Sequence, residues 1–420
     1  MTRASATDGG TVAGGAVHSE ALDGPALRSV VAVLSLSQVV SWGCLYYGFA
    51  ALQSSITTDT GWSATSVSAA FSLALVVSAG VGVWVGRHLD SHGPRFVMAG
   101  ASALAVPGMI LIAAAPSLPW FYIGWVLVGA AMAGTLYPPA FAALTRWGGQ
   151  HRVRALTTVT LAGGLASTVF APLAAWLDAA AGWRIAFLVL AGIAVAVTLP
   201  LHWWGLPAGW GTSNESTRVA QTLQSADRVR VATTRPFVML AIANALVALT
   251  AFAVVVNLVP MLREQGMELQ TAALVLGLGG LGQVIGRVGY ARFAATVGLT
   301  ARSVLVVAAV AVLTAAFALA PPITWVVIML GMMLGLARGL YTLVHATAVT
   351  DRWGPASYGR LNGILTAPAL AASAAAPVVG ALLATATGSY ATAFLLLAGL
   401  AASGAALMVA ATPPLPSEPS

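Results

Sequence analysis

The chain has 420 residues, 59% of them hydrophobic and 7% charged, with a mean hydropathy of +0.88. Soluble domains carry about 25% charged residues, so this composition excludes an ordinary water-soluble domain and calls for helices buried in lipid. The net charge of +7 comes from arginine, there being no lysine, and the arginines punctuate apolar runs instead of lining one soluble face, which excludes a nucleic-acid surface.

Residues 1–25 are rich in Gly, Ala, Ser and Thr with scattered charge, and are expected to form a disordered cytoplasmic tail. They lack the apolar core and cleavage site of a signal peptide, so the first long run is expected to remain as a transmembrane helix. Apolar runs long enough to cross a bilayer fall near 28–54, 64–86, 96–115, 119–146, 155–178 and 183–204. Six more fall near 236–262, 269–291, 301–320, 323–349, 359–386 and 389–411. The longest polar stretch, 205–235, holds Arg218, Arg228, Arg230 and Arg235 and reads as a cytoplasmic linker. The expected organisation is a tail over 1–25, a six-helix bundle over 26–204, the linker over 205–235, a second bundle over 236–411 and a short tail over 412–420. The fold class expected is an all-α membrane protein of twelve transmembrane helices in two pseudo-symmetric six-helix bundles.

Alternate loops carry the arginines: Arg87 and Arg95, then Arg146, Arg152 and Arg154, then the linker, then Arg292 and Arg302, then Arg352 and Arg360. The opposite loops hold Arg184 and Arg263. Positive charge stays on the inner side, so both termini are expected in the cytoplasm of a multi-pass protein of the inner membrane.

The two halves repeat each other. ALTRWGG at 143–149 matches VTDRWGP at 349–355, and AFLVLAG at 186–192 matches AFLLLAG at 393–399. Arg154 matches Arg360, and DTGW at 59–62 stands opposite EQGM at 264–267. The offset stays between 205 and 207 throughout, which implies one six-helix unit duplicated in the same orientation.

Between the second and third runs lies GRHLDSHGPR, with Gly86, Asp90, Gly93 and Arg95 at the spacing G-x-x-x-D-x-x-G-x-R. Glycines permit close backbones in a short turn, while a carboxylate and a guanidinium can latch two bundles at the surface. This stretch resembles the signature loop between helices 2 and 3 of the major facilitator superfamily. The resemblance implies two bundles rocking about a central cavity lined by helices 1, 4, 7 and 10, with the four residues in gating. The second copy of the loop is degenerate: Ala295 and Ala291 stand where Asp90 and Gly86 do.

Charge inside hydrocarbon is costly, so intramembrane ionisable residues are functional candidates. The acidic residues fall at or outside the helix-length run ends, where capping or a solvated surface accounts for Asp59, Asp178, Glu264 and Asp351. Arg338 lies fourteen residues before Arg352, about 20 Å along a helix, with Tyr341, Thr342 and His345 following on the same face. A cation, hydroxyls and an imidazole on one stripe suit an anionic ligand such as a carboxylate, while the alternative is a structural arginine tied to neighbouring carbonyls. His345 is the one histidine expected well inside a span and could carry a proton or pack structurally. Tyr47, Trp42, Tyr46, Tyr137, Asn244 and Asn257 could add polar cavity contacts, or serve as interhelical glue.

Arg287 and Gln283 form a spacing in the eighth run that resembles the Asp-x-x-x-Arg element of monocarboxylate transporters. That resemblance implies an arginine bound to substrate carboxylate, but Gln283 stands at the aspartate tied to proton coupling there. The alternative for Arg287 is snorkelling to the surface. Residues 152–184, with a Gly-Gly pair, Pro172 and a Gly-Trp-Arg, resemble helix 5 of monocarboxylate-transporter-like and oxalate/formate-type members, with Pro172 a possible site of kinking or gating. The G-x-x-x-G-P-x-x-G-G pattern of drug antiporters is broken by Ala171, Ala174 and Ala175.

One cysteine, Cys44, and no metal-ligand spacing leave no disulfide or metal site expected. No Ser/His/Asp grouping, P-loop or dinucleotide fingerprint appears, so no enzymatic activity, cofactor or ATP drive is expected. The expected function is secondary transport of a small organic anion by alternating access, with a coupling proton, by a monomer in the lipid bilayer. The alternative is efflux of drugs or toxic compounds.

Overall fold

A computed structural model describes residues 24–208, 231–353 and 358–411 together with Leu22 and Trp210. The expected tails over most of 1–25 and all of 412–420, and most of the expected linker, lie outside the described residues, as does the side chain of Asp90. The described residues are almost entirely helical, because in hydrocarbon every backbone N–H and C=O must find its partner within the chain.

Among the described residues, eleven helices are long and apolar enough to cross a membrane. One of them, Arg152–Gly205, is 54 residues long and breaks at Gly182 (φ 82°, ψ 161°), which turns it into two crossings. We number the twelve α1 (Gly24–Thr60), α2 (Ala64–His92), α3 (Pro94–Ala114), α4 (Leu118–Trp147), α5 (152–181) and α6 (183–205) in the first half. The second half holds α7 (Arg235–Glu264), α8 (Leu269–Thr296), α9 (Leu299–Leu319), α10 (Thr324–Thr347), α11 (Tyr358–Thr387) and α12 (Tyr390–Ala410).

The duplication read from sequence is visible in the turns. Gly61 and Gly266 end α1 and α7 at φ 70° and 88°, and Gly182 and Gly388 end α5 and α11 at φ 82° and 74°. A left-handed residue is costly for any side chain, so glycine is selected at both members of each pair. Packing repeats as well. In the first half α1 leans on α5 and α6, α2 on α4, and α3 on α6. In the second, α7 leans on α11 and α12, α8 on α10, and α9 on α12.

Corresponding polar ties recur. Gln38 Nε2 on α1 donates to the Thr135 carbonyl on α4 at 2.8 Å. At the matching places of the second half, Tyr341 on α10 donates to the Asn244 carbonyl and Oδ1 on α7, each at 3.1 Å. Asp59 accepts from the indole of Trp183, and Glu264 likewise accepts from the backbone N–H of Tyr390 at 2.8 Å. Buried polar atoms in a membrane protein need partners, and these ties hold each bundle together.

The bundles meet along α2–α11, α5–α8 and α1–α7. Thr65 and Thr385 hydroxyls lie 3.2 Å apart across α2 and α11, and the Val378 N–H donates to Ser72 Oγ at 3.2 Å. Thr168 donates to the Gly277 carbonyl at 2.8 Å. At the arginine-rich end, Arg352 fastens three helices of one bundle by donating to the carbonyls of Ala411 and Ala348 and to Ser303 Oγ. Burial away from water lowers its pKa to about 10 against the opposing pull of Asp351.

Candidate functional site

Near the middle of the molecule the first half presents an aromatic wall built on distorted helices. α1 widens into a π-helical turn over Gly43–Tyr47, a distortion common where helices serve function. Gly43 permits it, because any Cβ there would run into the Phe170 ring of α5. The widened turn aims Tyr46 and Tyr47 edge to face, 5.2 Å apart, and brings Tyr46 to 6.2 Å from Phe252 of α7 across the bundle interface. Trp42 stands 5.3 Å from Tyr46 and 5.2 Å from Tyr137. Tyr137 is placed by a break in α4 at Leu136 (ψ −164°), where the following prolines begin a new helical stretch. Its hydroxyl lies over Gly163 of α5, so close that a Cβ there would collide with it.

The second half presents two cations. Arg338 sits on α10, nine residues short of the helix end at Thr347, about 14 Å along the axis. The helix ends short of Arg352, so the fourteen residues between Arg338 and Arg352 are not one continuous α-helix. Arg338 is half-buried, and among the described residues its guanidinium has no hydrogen-bond or ion-pair partner. Arg287 on α8 donates from Nη1 to the Thr160 carbonyl of α5 and acts on the Tyr137 phenol. It thus ties the second bundle to the first, while its Nε is buried without a partner.

The two arginines are held in fixed relation by glycine. On α10, Gly335 and Gly339 press against the Gly279 and Gln283 carbonyls of α8, and on α8 Gly282 and Gly286 press against the Met332 and Leu336 carbonyls. A Cβ at any of the four would collide with backbone, which cannot give way. Arg287 follows Gly286, and Arg338 precedes Gly339.

Among the sequence candidates, the structure gathers Arg338, Arg287, Tyr47 and Tyr137 around this wall. Gln283 is buried on α8 beside Gly339. Tyr341 and His345 turn to α7, where His345 Nδ1 lies 2.9 Å from Asn244 Oδ1 and Tyr341 donates to the same residue. Asn257 faces α11, donating to the Ala253 carbonyl at 2.9 Å and the Pro377 carbonyl at 3.5 Å, with its amide over Gly380. Pro172 lies inside its helix, packed on Gly277, and α5 departs from regular helix earlier, at Leu165.

In the signature loop, Gly93 has φ 78° and ψ 172°, and a Cβ there would come within 2.8 Å of Trp210 Cβ. Arg95 lies 5.4 Å from the Trp203 ring of α6, and Gly86 is in open space. The partner of Asp90 falls outside the described side chains.

Two features escaped the sequence. His202 is fully buried on α6 with Nδ1 2.8 Å from Ser102 Oγ of α3, so His345 is not alone inside the spans; its place three residues before a helix end disguised it. Trp210 meets Trp147 edge to face at 5.4 Å and lies under Arg146 at 4.2 Å, closing over Gly93. A lone Trp in a polar stretch was the available signal.

The chemistry of the wall is one-sided. Among the described residues, Trp42 Nε1 and Tyr46 Oη are buried with no hydrogen-bond partner, on the same wall as an unpartnered Arg338 and a half-satisfied Arg287. All are donors in this setting, and buried donors without acceptors are costly. The arrangement suits a ligand that brings negative charge and acceptor oxygens.

The folds of solved transporters match this one at low sequence identity. The nucleoside transporter NupG aligns at TM-score 0.71 and 14% identity, over 91% of this chain and 98% of that one. The D-xylose-proton symporter aligns at TM-score 0.70 and 15% identity, over 92% and 98%. In sequence, the chain is 31% identical over 231 residues to monocarboxylate transporter 11 of Mus musculus, covering 54% of this chain and 49% of that protein. It is 27% identical over 211 residues to monocarboxylate transporter 13 of Bos taurus, covering 49% and 47%. The chain thus spans about half the length of the curated relatives it matches. The Major Facilitator Superfamily model matches residues 34–330 and 240–420, and the chain, a multi-pass membrane protein, belongs to that superfamily.

Proposed function

We propose that this protein is a secondary transporter of small organic anions of the monocarboxylate class, working by alternating access between its two bundles. The reading is carried by the guanidinium of Arg338, which has no hydrogen-bond or ion-pair partner among the described residues, together with the buried hydroxyl of Tyr46, which has none either. A carboxylate supplies two acceptor oxygens and one negative charge, which is what this pair lacks. Arg287 and Tyr137 form the opposite side of the site, Tyr47 completes its wall, and Gln283 packs beneath on α8. The names of the curated relatives, monocarboxylate transporters 11 and 13, support the same substrate class. The arginine-rich end faces the cytoplasm of the inner membrane, and a proton accompanies the anion. Gly86, Asp90, Gly93 and Arg95 gate the inner side, and the protein works as a monomer.

The bonds that join Thr65 to Thr385 and Ser72 to Val378 close the outer end in this state. Arg287 reaches the Thr160 carbonyl only while α5 and α8 lie together, so its release accompanies opening of the site.

Thermal stabilisation of the detergent-purified protein by lactate, pyruvate and benzoate tests the reading, with cationic drugs as the comparison. Ligand at about 100 times its Kd adds ~2.7 kcal/mol to the folded state. Arg338→Gln removes a charged hydrogen bond, so the carboxylate affinity should fall roughly tenfold to a hundredfold. An unchanged response in that variant removes Arg338 from the site. Stabilisation by drugs alone replaces the anion reading with efflux.

A further inference from the structure

At the outer end a cleft of about 530 Å³ opens between the first bundle and α7. Its charged groups are Asp59 on α1, Asp178 on α5, Arg184 on α6 and Arg263 on α7, with Ser55 and Thr58 beside them. The internal repeat sorts these charges by role. Asp59 accepts from Trp183 and pairs with Arg184, and the corresponding Glu264 accepts from Tyr390. That tie recurs in both halves and belongs to the fold. Asp178, Arg184 and Arg263 have no charged counterparts: the matching positions hold Ala384 or Thr385, Ala391, and Thr58, and of the three Arg184 is already paired with Asp59.

Asp178 and Arg263, unrepeated and without an ion pair among the described residues, line the cleft from opposite bundles. Asp178 is half-buried and takes a hydrogen bond from Ser55. Arg263 spends one guanidinium nitrogen on the Met267 carbonyl at 3.0 Å, which leaves other donors free to face the cleft. We propose that the cleft is an outer anion-receiving subsite, in which Arg263 exchanges Asp178 as its counter-charge for an incoming small carboxylate while Asp178 takes a proton from hydronium in the bulk solution.

The charges balance. With Asp178 ionised, the cleft holds two carboxylates and two guanidinium groups and has no net charge with which to attract an added anion. With Asp178 protonated, Arg263 is left with one unmatched positive charge, which the incoming carboxylate neutralises. Binding of the anion therefore favours protonation of Asp178, so one proton and one anion enter together. The same step loosens the α5–α7 attraction that helps hold the outer end shut. It also supplies a proton carrier in a chain whose deeper spans hold no carboxylate. The substrate class rests on the reading given above, and the two fail separately.

The first arm follows lactate-induced stabilisation of the full chain at about pH 5.5 and about pH 8. Lactate affinity should weaken by up to tenfold per pH unit as pH rises through the titration of Asp178, and Asp178→Asn should flatten that slope. An Asp178→Asn protein with the unmodified slope overturns the proposal. The second arm needs no ligand. In a Cys44→Ser background, Thr65→Cys and Thr385→Cys are oxidised to a disulfide, and the rate reports closure of the outer end. Adding Asp178→Asn, or Arg263→Gln, should slow crosslinking severalfold at about pH 8 and match the parent near pH 5.5. Equal rates in all backgrounds at both pH values overturn the subsite. If lactate binds neither protein, the carboxylate reading falls, and the Asp178–Arg263 exchange is then decided by the crosslinking rates.

Discussion

The pairs α2–α4 and α8–α10 hold corresponding places in the two repeats, and both make the same closest approach. Gly129 presses on the Ala74 carbonyl in the first, and Gly335 on the Gly279 carbonyl in the second, positions matched by the internal offset. Beyond that point they diverge. The second pair continues with Gly282, Gly286 and Gly339 against backbone, where the first has Val77, Val81 and Ala133. Met132 and Gly82 stand where Arg338 and Arg287 do. Duplication supplied one close contact to each half. The half that carries the cations extended it into a continuous backbone seam, while the aromatic half kept helices that widen and break at Gly43–Tyr47 and Leu136. The difference assigns rigid spacing of charge to one half and deformability to the other.

Breaking the seam should have the largest effect. A methyl at Gly335 has only backbone to meet, and overpacking of this kind costs about 1–3 kcal/mol. Gly335→Ala should lower the melting temperature and also weaken lactate stabilisation, because the Arg287–Arg338 spacing shifts. Gly129→Ala should destabilise comparably yet leave the lactate response intact. If both variants lose the response to the same degree, the two pairs do not differ in function.

Much of this was legible in the chain. Apolar run lengths gave twelve crossings, and the near-constant offset gave the repeat that the turn glycines and packing pairs display. Arg338 stood out because charge in an apolar run is rare. Direction was harder to read. Residues 338, 341 and 345 share a helix face, but spacing cannot tell which neighbour each meets, and Asn244 of α7 takes both Tyr341 and His345. The π-helical turn shifts the register of α1, so helical periodicity could not aim Tyr46 and Tyr47. Asp178 read as a helix-end residue because its hydrogen-bond partner, Ser55, comes from α1, far away in sequence.

A smaller effect separates the two signature loops. Gly93 has a positive φ and no room beside Trp210, whereas Gly298 in the degenerate copy has φ −58° and open space. Gly93→Ala should cost about 1–3 kcal/mol of stability in thermal melts, from backbone strain together with displacement of Trp210. Gly298→Ala should be within about 0.5 kcal/mol of the parent. Equal melting of the two would place Gly93 outside any constrained turn.

The division between neutral donors and cations is tested most finely at Tyr46. Its hydroxyl is buried with no partner among the described residues, so in the folded state its desolvation cost is offset by none of them. Tyr46→Phe keeps the ring against Phe71, 5.1 Å away, and removes only the oxygen. The empty variant should therefore be more stable than the parent by about 1 kcal/mol, an unusual direction for a buried substitution. With lactate present the order should narrow or reverse, because the hydroxyl then donates to the carboxylate and its loss weakens binding roughly tenfold. Opposite signs with and without the anion identify a donor held in reserve for a ligand. A variant less stable than the parent in both conditions would instead show that the hydroxyl serves the fold, leaving Arg338 to recognise the anion without help from the aromatic half.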